Sequence, residues 1–149
     1  MNLQKNKLIL YSLILGFLGF LVATYLTILH FRHIIPTCSV TGNCEAVLTS
    51  RFATIGPIPL ALLGSLFYLA VMVICILILT NYRKIFVDFF HMVAAVGFMV
   101  SVVLLLIQAY ILHAFCQYCL LSEAISTGII ILAYLDFRQR KALDKATKK

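Results

Sequence analysis

Charged residues are scarce in this chain of 149 residues: they make up 11% of it, and only five are acidic. A soluble domain of this size carries about 25% charged residues. Such a deficit leaves too little polar surface to cover a water-soluble globule, and 63% of the residues are hydrophobic. The composition therefore excludes an ordinary soluble domain and indicates a membrane protein that forms one compact unit.

The sequence also lacks internal repeats and low-complexity linkers, and its first apolar run has no charge over 22 residues. At 1.5 Å per residue that run extends roughly 33 Å, enough to cross a bilayer core. We predict an all-α membrane protein, a bundle of four transmembrane helices that forms a single domain over residues 1–149. The predicted spans are Leu8–Leu29, Ile58–Thr80, about Phe89–Leu112 and about Cys116–Leu135.

The end of the first run lacks the small residues of a signal-peptide cleavage site, because large residues occupy most of the positions from Thr24 to His30. We therefore expect an uncleaved first helix. Spans two to four each carry a glycine, and small residues let helix backbones approach closely in lipid. These glycines, Gly64, Gly97 and Gly128, favour a tight bundle.

The net charge of +7 is concentrated at the C-terminus, where six of the twelve basic residues follow Asp136. No aromatic residues interleave with them, which argues against nucleic-acid binding. A basic tail after an apolar segment is more simply an orientation signal or a contact for anionic lipid. Ten basic residues fall at one predicted membrane face, and only Arg32 and Arg51 at the other. The positive-inside rule places both termini in the cytoplasm, at the plasma (inner) membrane or, in a eukaryote, the endoplasmic reticulum membrane.

The one long polar connection, residues 31–57, then lies outside the cytoplasm and contains Cys38 and Cys44. Thr41-Gly42-Asn43 favours a turn between these cysteines, and Asn43 is a suitable cap for a short helix that begins at Cys44. Apolar residues spaced by four and three indicate that this helix continues along the membrane surface. They are Leu48, Phe52 and Ile55.

Four of the five cysteines fall on the extracytoplasmic side, where disulfides form and persist. Cys38 and Cys44 suit either a structural disulfide or a redox pair. Cys116 and Cys119 favour redox chemistry, because a disulfide between neighbouring turns constrains little and a helix N-terminus stabilises a thiolate. Four thiolates could also bind zinc, although an oxidising compartment competes for them, so we assign no metal. Cys75, within a span, is a packing residue.

Glu123 lies four residues after Cys119, one turn deeper on the same face of the last helix. An ionisable group inside a membrane is costly and is a candidate functional residue. It could transfer protons during two-electron chemistry near Cys119. The alternative is an interfacial carboxylate with its head near water.

The combination of these segments resembles the vitamin K epoxide reductase (VKOR) family over about residues 38–123. The resemblance rests on a loop cysteine pair after the first span and on three further segments. They are Cys44-Glu45-Ala46-Val47-Leu48-Thr49-Ser50, Gly56-Pro57-Ile58-Pro59-Leu60-Ala61-Leu62-Leu63-Gly64, and Cys116-Gln117-Tyr118-Cys119 at the start of the last span.

The resemblance implies a four-helix bundle around a quinone of the ubiquinone, menaquinone or vitamin K type. It implies that Cys38 faces a protein partner, that Cys44 passes electrons to Cys116, and that Cys119 contacts the quinone with Ser50 nearby. Glu123 stands where animal members have tyrosine, which favours a prokaryotic quinone-linked enzyme that supports disulfide formation.

The partner implied is a separate thioredoxin-fold protein, since the chain is too short for a fused thioredoxin-like domain. The alternative functions are vitamin K epoxide or quinone reduction proper, and a non-catalytic membrane protein stapled by disulfides.

Overall fold

A computed structural model describes the backbone of residues 3–34, 44–81 and 83–147. The helix Lys84–Leu106 continues directly into a π-helical turn, Ile107–Ile111. The predicted all-α membrane bundle is confirmed, with one minimal antiparallel strand pair added to it. The elements in chain order are α1 (Leu3–Phe31), α2 (Cys44–Leu48), β1 (Thr54–Ile55), β2 (Ile58–Pro59), α3 (Leu60–Thr80), α4 (Lys84–Leu106) and α5 (Gln117–Thr147).

The four long helices form a closed ring in which α1 packs against α3 and α5, and α4 packs against the same two helices. Each of the four is long and apolar enough to cross a membrane. Tyr68, Phe90 and Ile129 fill the interior, whereas large apolar side chains such as Leu66 and Met99 point outward and are exposed. An apolar exterior is stable only in contact with lipid, so the burial pattern agrees with a membrane bundle.

Several helix ends differ from the predicted span ends. The first helix runs Leu3–Phe31, and the third begins at Lys84 rather than about Phe89. Two further differences have a local cause. The second helix begins at Leu60 rather than Ile58, because Ile58 and Pro59 pair with β1 and the N–H of Leu60 donates to the carbonyl of Ala53 at 2.8 Å. The last helix extends to Thr147, well past the predicted end at Leu135. Its final turns contain no glycine or proline and are rich in strong helix formers, so nothing in the sequence stops the helix where the apolar run ends.

The predicted loop helix is shorter than expected, which corrects the interpretation of residues 44–55. The helix α2 ends at Leu48, and Ile55 lies in a strand. Side-chain hydrogen bonds close the helix: the hydroxyl of Thr49 donates to the carbonyl of Glu45 at 2.7 Å, and that of Ser50 to the carbonyl of Val47 at 2.7 Å. Such local bonds compete with helix continuation. The cap predicted at Asn43 lies outside the described residues.

The end of the bundle far from the cysteines is held by a polar contact between α4 and α5. Asp136 is fully buried, and its Oδ2 accepts a hydrogen bond from Nε of Arg140, one turn later on α5. His91 of α4 lies with Nε2 3.4 Å from the same oxygen and 3.0 Å from the carbonyl oxygen of Ala133. A buried carboxylate is stable only with such partners, so this cluster joins the two helices.

Close helix packing predicts different effects for two glycine substitutions. A Cβ at Gly97 would overlap the ring of Phe67, whereas a Cβ at Gly64 would have only the Cβ of Ala23 nearby, at 3.6 Å. We expect Gly97→Ala to lower the free energy of unfolding by about 1–3 kcal/mol through overpacking. Gly64→Ala should be neutral or slightly stabilising, because alanine is the better helix former. Thermal unfolding of the purified protein in detergent measures both, and equal stabilities would contradict the packing described.

Candidate active site

The segment before α5 holds Cys116 in a fixed position at the end of the bundle where the chain passes from α4 to α5. The π-helical turn ends α4, and His113 adopts a positive φ of 47°, which turns the chain back toward the bundle. The N–H of Ala114 donates to the carbonyl of Gln108 at 3.2 Å, and the N–H of Cys116 donates to Oε1 of the Gln108 side chain at 3.1 Å. One glutamine thus anchors the segment through both its main chain and its side chain.

Cys116 occupies the cap position of α5, since the N–H of Leu120 donates to its carbonyl oxygen at 2.9 Å. Its sulfur accepts hydrogen bonds from the Cys119 thiol and from the backbone N–H groups of Cys119 and Tyr118. These bonds favour the thiolate and lower the pKa of Cys116 to about 7, although burial acts in the opposite direction. Both Cys116 and Cys119 are free thiols in the structure.

Cys44 packs into the same buried cluster as Cys116. The exposed fractions of the two residues are 1% and 0%, and Val47 and Ala114 complete the cluster. Cys44 takes part in a disulfide. Cys38 lies outside the described residues, so its pairing with Cys44 stays a prediction. The fold therefore brings the loop helix, through Cys44, against the start of α5.

Glu123 lies one turn below Cys119 and is nearly buried, with an exposed fraction of 9%. Its Oε1 accepts a hydrogen bond of 2.7 Å from Nε2 of Gln108. Its Oε2 is buried and has no hydrogen-bond partner within the described part of the chain. The adjacent Ser122 receives a hydrogen bond from the Tyr68 hydroxyl at its carbonyl oxygen, at 2.7 Å. Only one oxygen of the Glu123 carboxyl, Oε1, is therefore held by a hydrogen bond among the described residues.

A cavity of about 140 Å³ lies beside these groups. Its walls are mostly apolar, and Cys119, Glu123 and Ser50 contribute to its lining together with Gln108 and Ser122. Ligand sites of this kind combine apolar walls with a few polar groups. A quinone has a flat apolar ring with polar carbonyl oxygens, so the apolar walls and the partnerless oxygen of Glu123 fit that class of molecule.

The structure brings together most of the residues predicted from the sequence. Ser50, Cys119 and Glu123 line one cavity, and Cys44 and Cys116 lie in one cluster that Cys119 also contacts. Cys75 is buried in the core of the bundle, as expected of a packing residue.

Gln108 was not predicted from the sequence. The available signal was an amide side chain inside an apolar run, since polar groups at membrane depth are often functional.

No group of three or more His, Cys, Asp or Glu side chains suited to a metal ion occurs in residues 3–34, 44–81 and 83–147. The zinc alternative requires Cys38, which lies outside these ranges. The thiols of Cys116 and Cys119 are hydrogen-bonded to one another, and the sulfur of Cys116 also accepts from backbone N–H groups.

The site combines a dithiol at a helix N-terminus, whose first sulfur is buried, with a third cysteine packed against it and an apolar cavity between spanning helices. These features define a membrane redox protein of the thiol–disulfide class. The vitamin K epoxide reductase family model matches residues 10–134, most of the chain. The chain therefore belongs to that family. It is a multi-pass membrane oxidoreductase of the quinone-linked disulfide type. No curated protein matches the chain.

The hydrogen bonds around Cys116 predict how its thiol titrates. In a variant without Cys38, Cys44 and Cys75, we expect Cys119→Ala to raise the pKa of Cys116, because the thiol donor is its largest stabilising partner. Cys119→Ser keeps a donor and should retain the lowered pKa. The ultraviolet absorbance of the thiolate, followed against pH, measures both. Identical titrations of the two variants would show that the donor at position 119 is not the cause.

Proposed function

We propose that this protein reoxidises a reduced thioredoxin-fold partner outside the cytoplasm and passes the electrons to a membrane quinone, in support of disulfide formation. The observation that carries the proposal is the shared position of Cys44 and Cys116 in one buried cluster beside a cavity lined by Cys119. Two sulfur pairs that meet at the wall of an apolar cavity can transfer electrons from a protein thiol to a membrane-soluble acceptor.

Electrons enter at the loop pair. A thiolate of the partner attacks the Cys38–Cys44 disulfide, the partner closes its own disulfide, and two thiols remain on the loop. The thiolate of Cys44 then attacks Cys116 in the oxidised Cys116–Cys119 pair, and Cys119 leaves with the electron pair. Cys38 attacks Cys44 and displaces Cys116. Two electrons have then moved from the loop pair to the Cys116–Cys119 pair.

The lowered pKa of Cys116 favours the last of these displacements, because a thiol of lower pKa is the better leaving group in disulfide exchange. A disulfide at Cys44 together with free thiols at Cys116 and Cys119 corresponds to the state after this transfer.

The inner pair is reoxidised at the cavity. Cys116 and Cys119 lose two electrons and two protons as they close their disulfide. A quinone bound there accepts the two electrons and the two protons and leaves as the quinol. Ser50, Cys119 and Glu123 would hold it, and Glu123 would transfer a proton through the oxygen that has no hydrogen-bond partner among the described residues.

The distribution of basic residues supports the direction of this path. Ten lie at the membrane face of the two termini, and Arg32 and Arg51 lie at the face of the cysteine loop. We propose that the termini are cytoplasmic and that the cysteines open to the periplasm or cell exterior, within one membrane domain. The acceptor we propose is a quinone of the ubiquinone, menaquinone or vitamin K type.

Cysteine replacements test the relay. We expect Cys44→Ala and Cys116→Ala each to abolish turnover, because each removes a sulfur that must form a mixed disulfide. The control Cys75→Ala should keep the activity, since that thiol is buried in the core away from the cavity. The assay is quinol formation by purified protein with a thioredoxin-fold dithiol. Normal turnover without Cys44 would refute the relay order, and a non-catalytic stapled protein would form no quinol at all.

Glu123→Gln tests the carboxyl at the cavity. The replacement keeps the size of the side chain and its acceptor for Gln108, but removes the exchangeable proton. We expect slower quinone reduction and an altered pH profile. Ser126→Ala is the control, because Ser126 is also buried on α5 but does not line the cavity. An unchanged rate across the pH range around neutrality would exclude Glu123 from proton transfer.

A further inference from the structure

The side chain of Gln108 connects the main chain of Cys116 to the carboxyl of Glu123. Gln108 has an exposed fraction of 3% and lies in the π-helical turn that ends the third span. The N–H of Cys116 can only donate, so the atom of Gln108 that faces it must be the oxygen, Oε1. The amide nitrogen therefore faces Glu123, and the orientation of the amide is fixed by its two partners.

This arrangement makes the two oxygens of Glu123 unequal. Oε1 is occupied by the amide N–H of Gln108 at 2.7 Å, whereas Oε2 is buried without a partner within residues 3–34, 44–81 and 83–147. A buried carboxyl oxygen without a hydrogen bond is costly and is usually explained by function or by a ligand. Because Glu123 and Gln108 line the cavity that Cys119 also lines, Oε2 is the oxygen available for proton exchange there.

We propose that Gln108 is a positioning residue for proton transfer: it holds Oε1 of Glu123, leaves Oε2 for the moving proton, and fixes Cys116 at the same time. The inference rests on the proposed function. It adds the residue that holds Cys116 and the carboxyl of Glu123 in fixed positions relative to one another. A π-helical turn at this point agrees with such a role, because π-helical turns within helices occur frequently at functional sites.

The proton step is balanced. A proton on Oε2 of Glu123 passes to an oxygen of the bound acceptor, and a proton from a thiol of the inner cysteine pair replaces it. The carboxyl returns to its starting state. The exchange takes place twice in each turnover, so both protons and both electrons that the two thiols lose reach the quinone, which leaves as the quinol. Gln108 neither gains nor loses a proton, because an amide does not titrate in this range.

A double-mutant cycle separates this role from a structural one. We expect Gln108→Leu to lower kcat for quinone reduction about tenfold or more and to change KM less than twofold, because it removes a hydrogen bond to an ionisable group. In a Glu123→Gln background the same replacement should add little, since Gln108 acts through the carboxyl. Thr127→Val is the control: it removes a hydrogen bond to the backbone oxygen of Glu123 without touching the carboxyl, and should leave kcat unchanged.

A second variant isolates the donated hydrogen bond. Gln108→Met keeps the length of the side chain and, in its sulfur, a weak acceptor for the N–H of Cys116, and it removes the donor to Glu123 without adding an ionisable group. We expect the same loss of kcat, again absent in the Glu123→Gln background. This variant decides the question if Gln108→Leu does not fold, because the segment before α5 retains its anchor.

Infrared spectroscopy of the quinone-free protein provides a readout other than activity. At acidic pH the C=O stretching band of Glu123 is identified by its absence in Glu123→Gln, and it should move to higher frequency in Gln108→Leu because the oxygen loses its hydrogen bond. An unmoved band, or losses of kcat that multiply in the double variant, would overturn the role of Gln108. Wild-type protein that forms no quinol would instead refute the proposed function.

Discussion

The packing of α2 against the start of α5 is the constraint on which the rest of the site depends. It buries Cys44 and Cys116, which are far apart in the sequence, in one cluster, and the proposed electron transfer depends on this contact. Water is excluded from the cluster, which strengthens the hydrogen bonds around Cys116. The bundle supplies the rigid part of this contact, because α5 is also one of its four walls.

The count of spans and the position of the inner cysteine pair follow from local patterns. Apolar runs of sufficient length predict spanning helices whatever packs around them, and the spacing of Cys116 and Cys119 predicts one helix face. Glu123 was found for the same reason, since its distance from Cys119 is one helical turn. Residue spacings of one helical turn and apolar runs long enough to cross a bilayer can both be recognised from the sequence alone.

The features that the sequence did not reveal depend on contacts between elements or on competition between local structures. Gln108 is one amide in an apolar run, and only the return of the chain at His113 places it between Cys116 and Glu123. The short length of α2 results from hydroxyl groups that bond to the backbone, which an apolar spacing does not register. The burial of Asp136 likewise depends on His91 from another helix.

The contact of His91, Asp136 and Arg140 has a consequence for the moving parts of the molecule. It joins α4 to α5 at the end opposite the inner cysteine pair and resists sliding of these two helices past one another. At the sulfur end, the buried Cys44 lies on the short helix α2. A helix of five residues has little stability of its own and opens at small cost. Movement at the sulfur end therefore costs least in the segment around α2 and most in the four long helices.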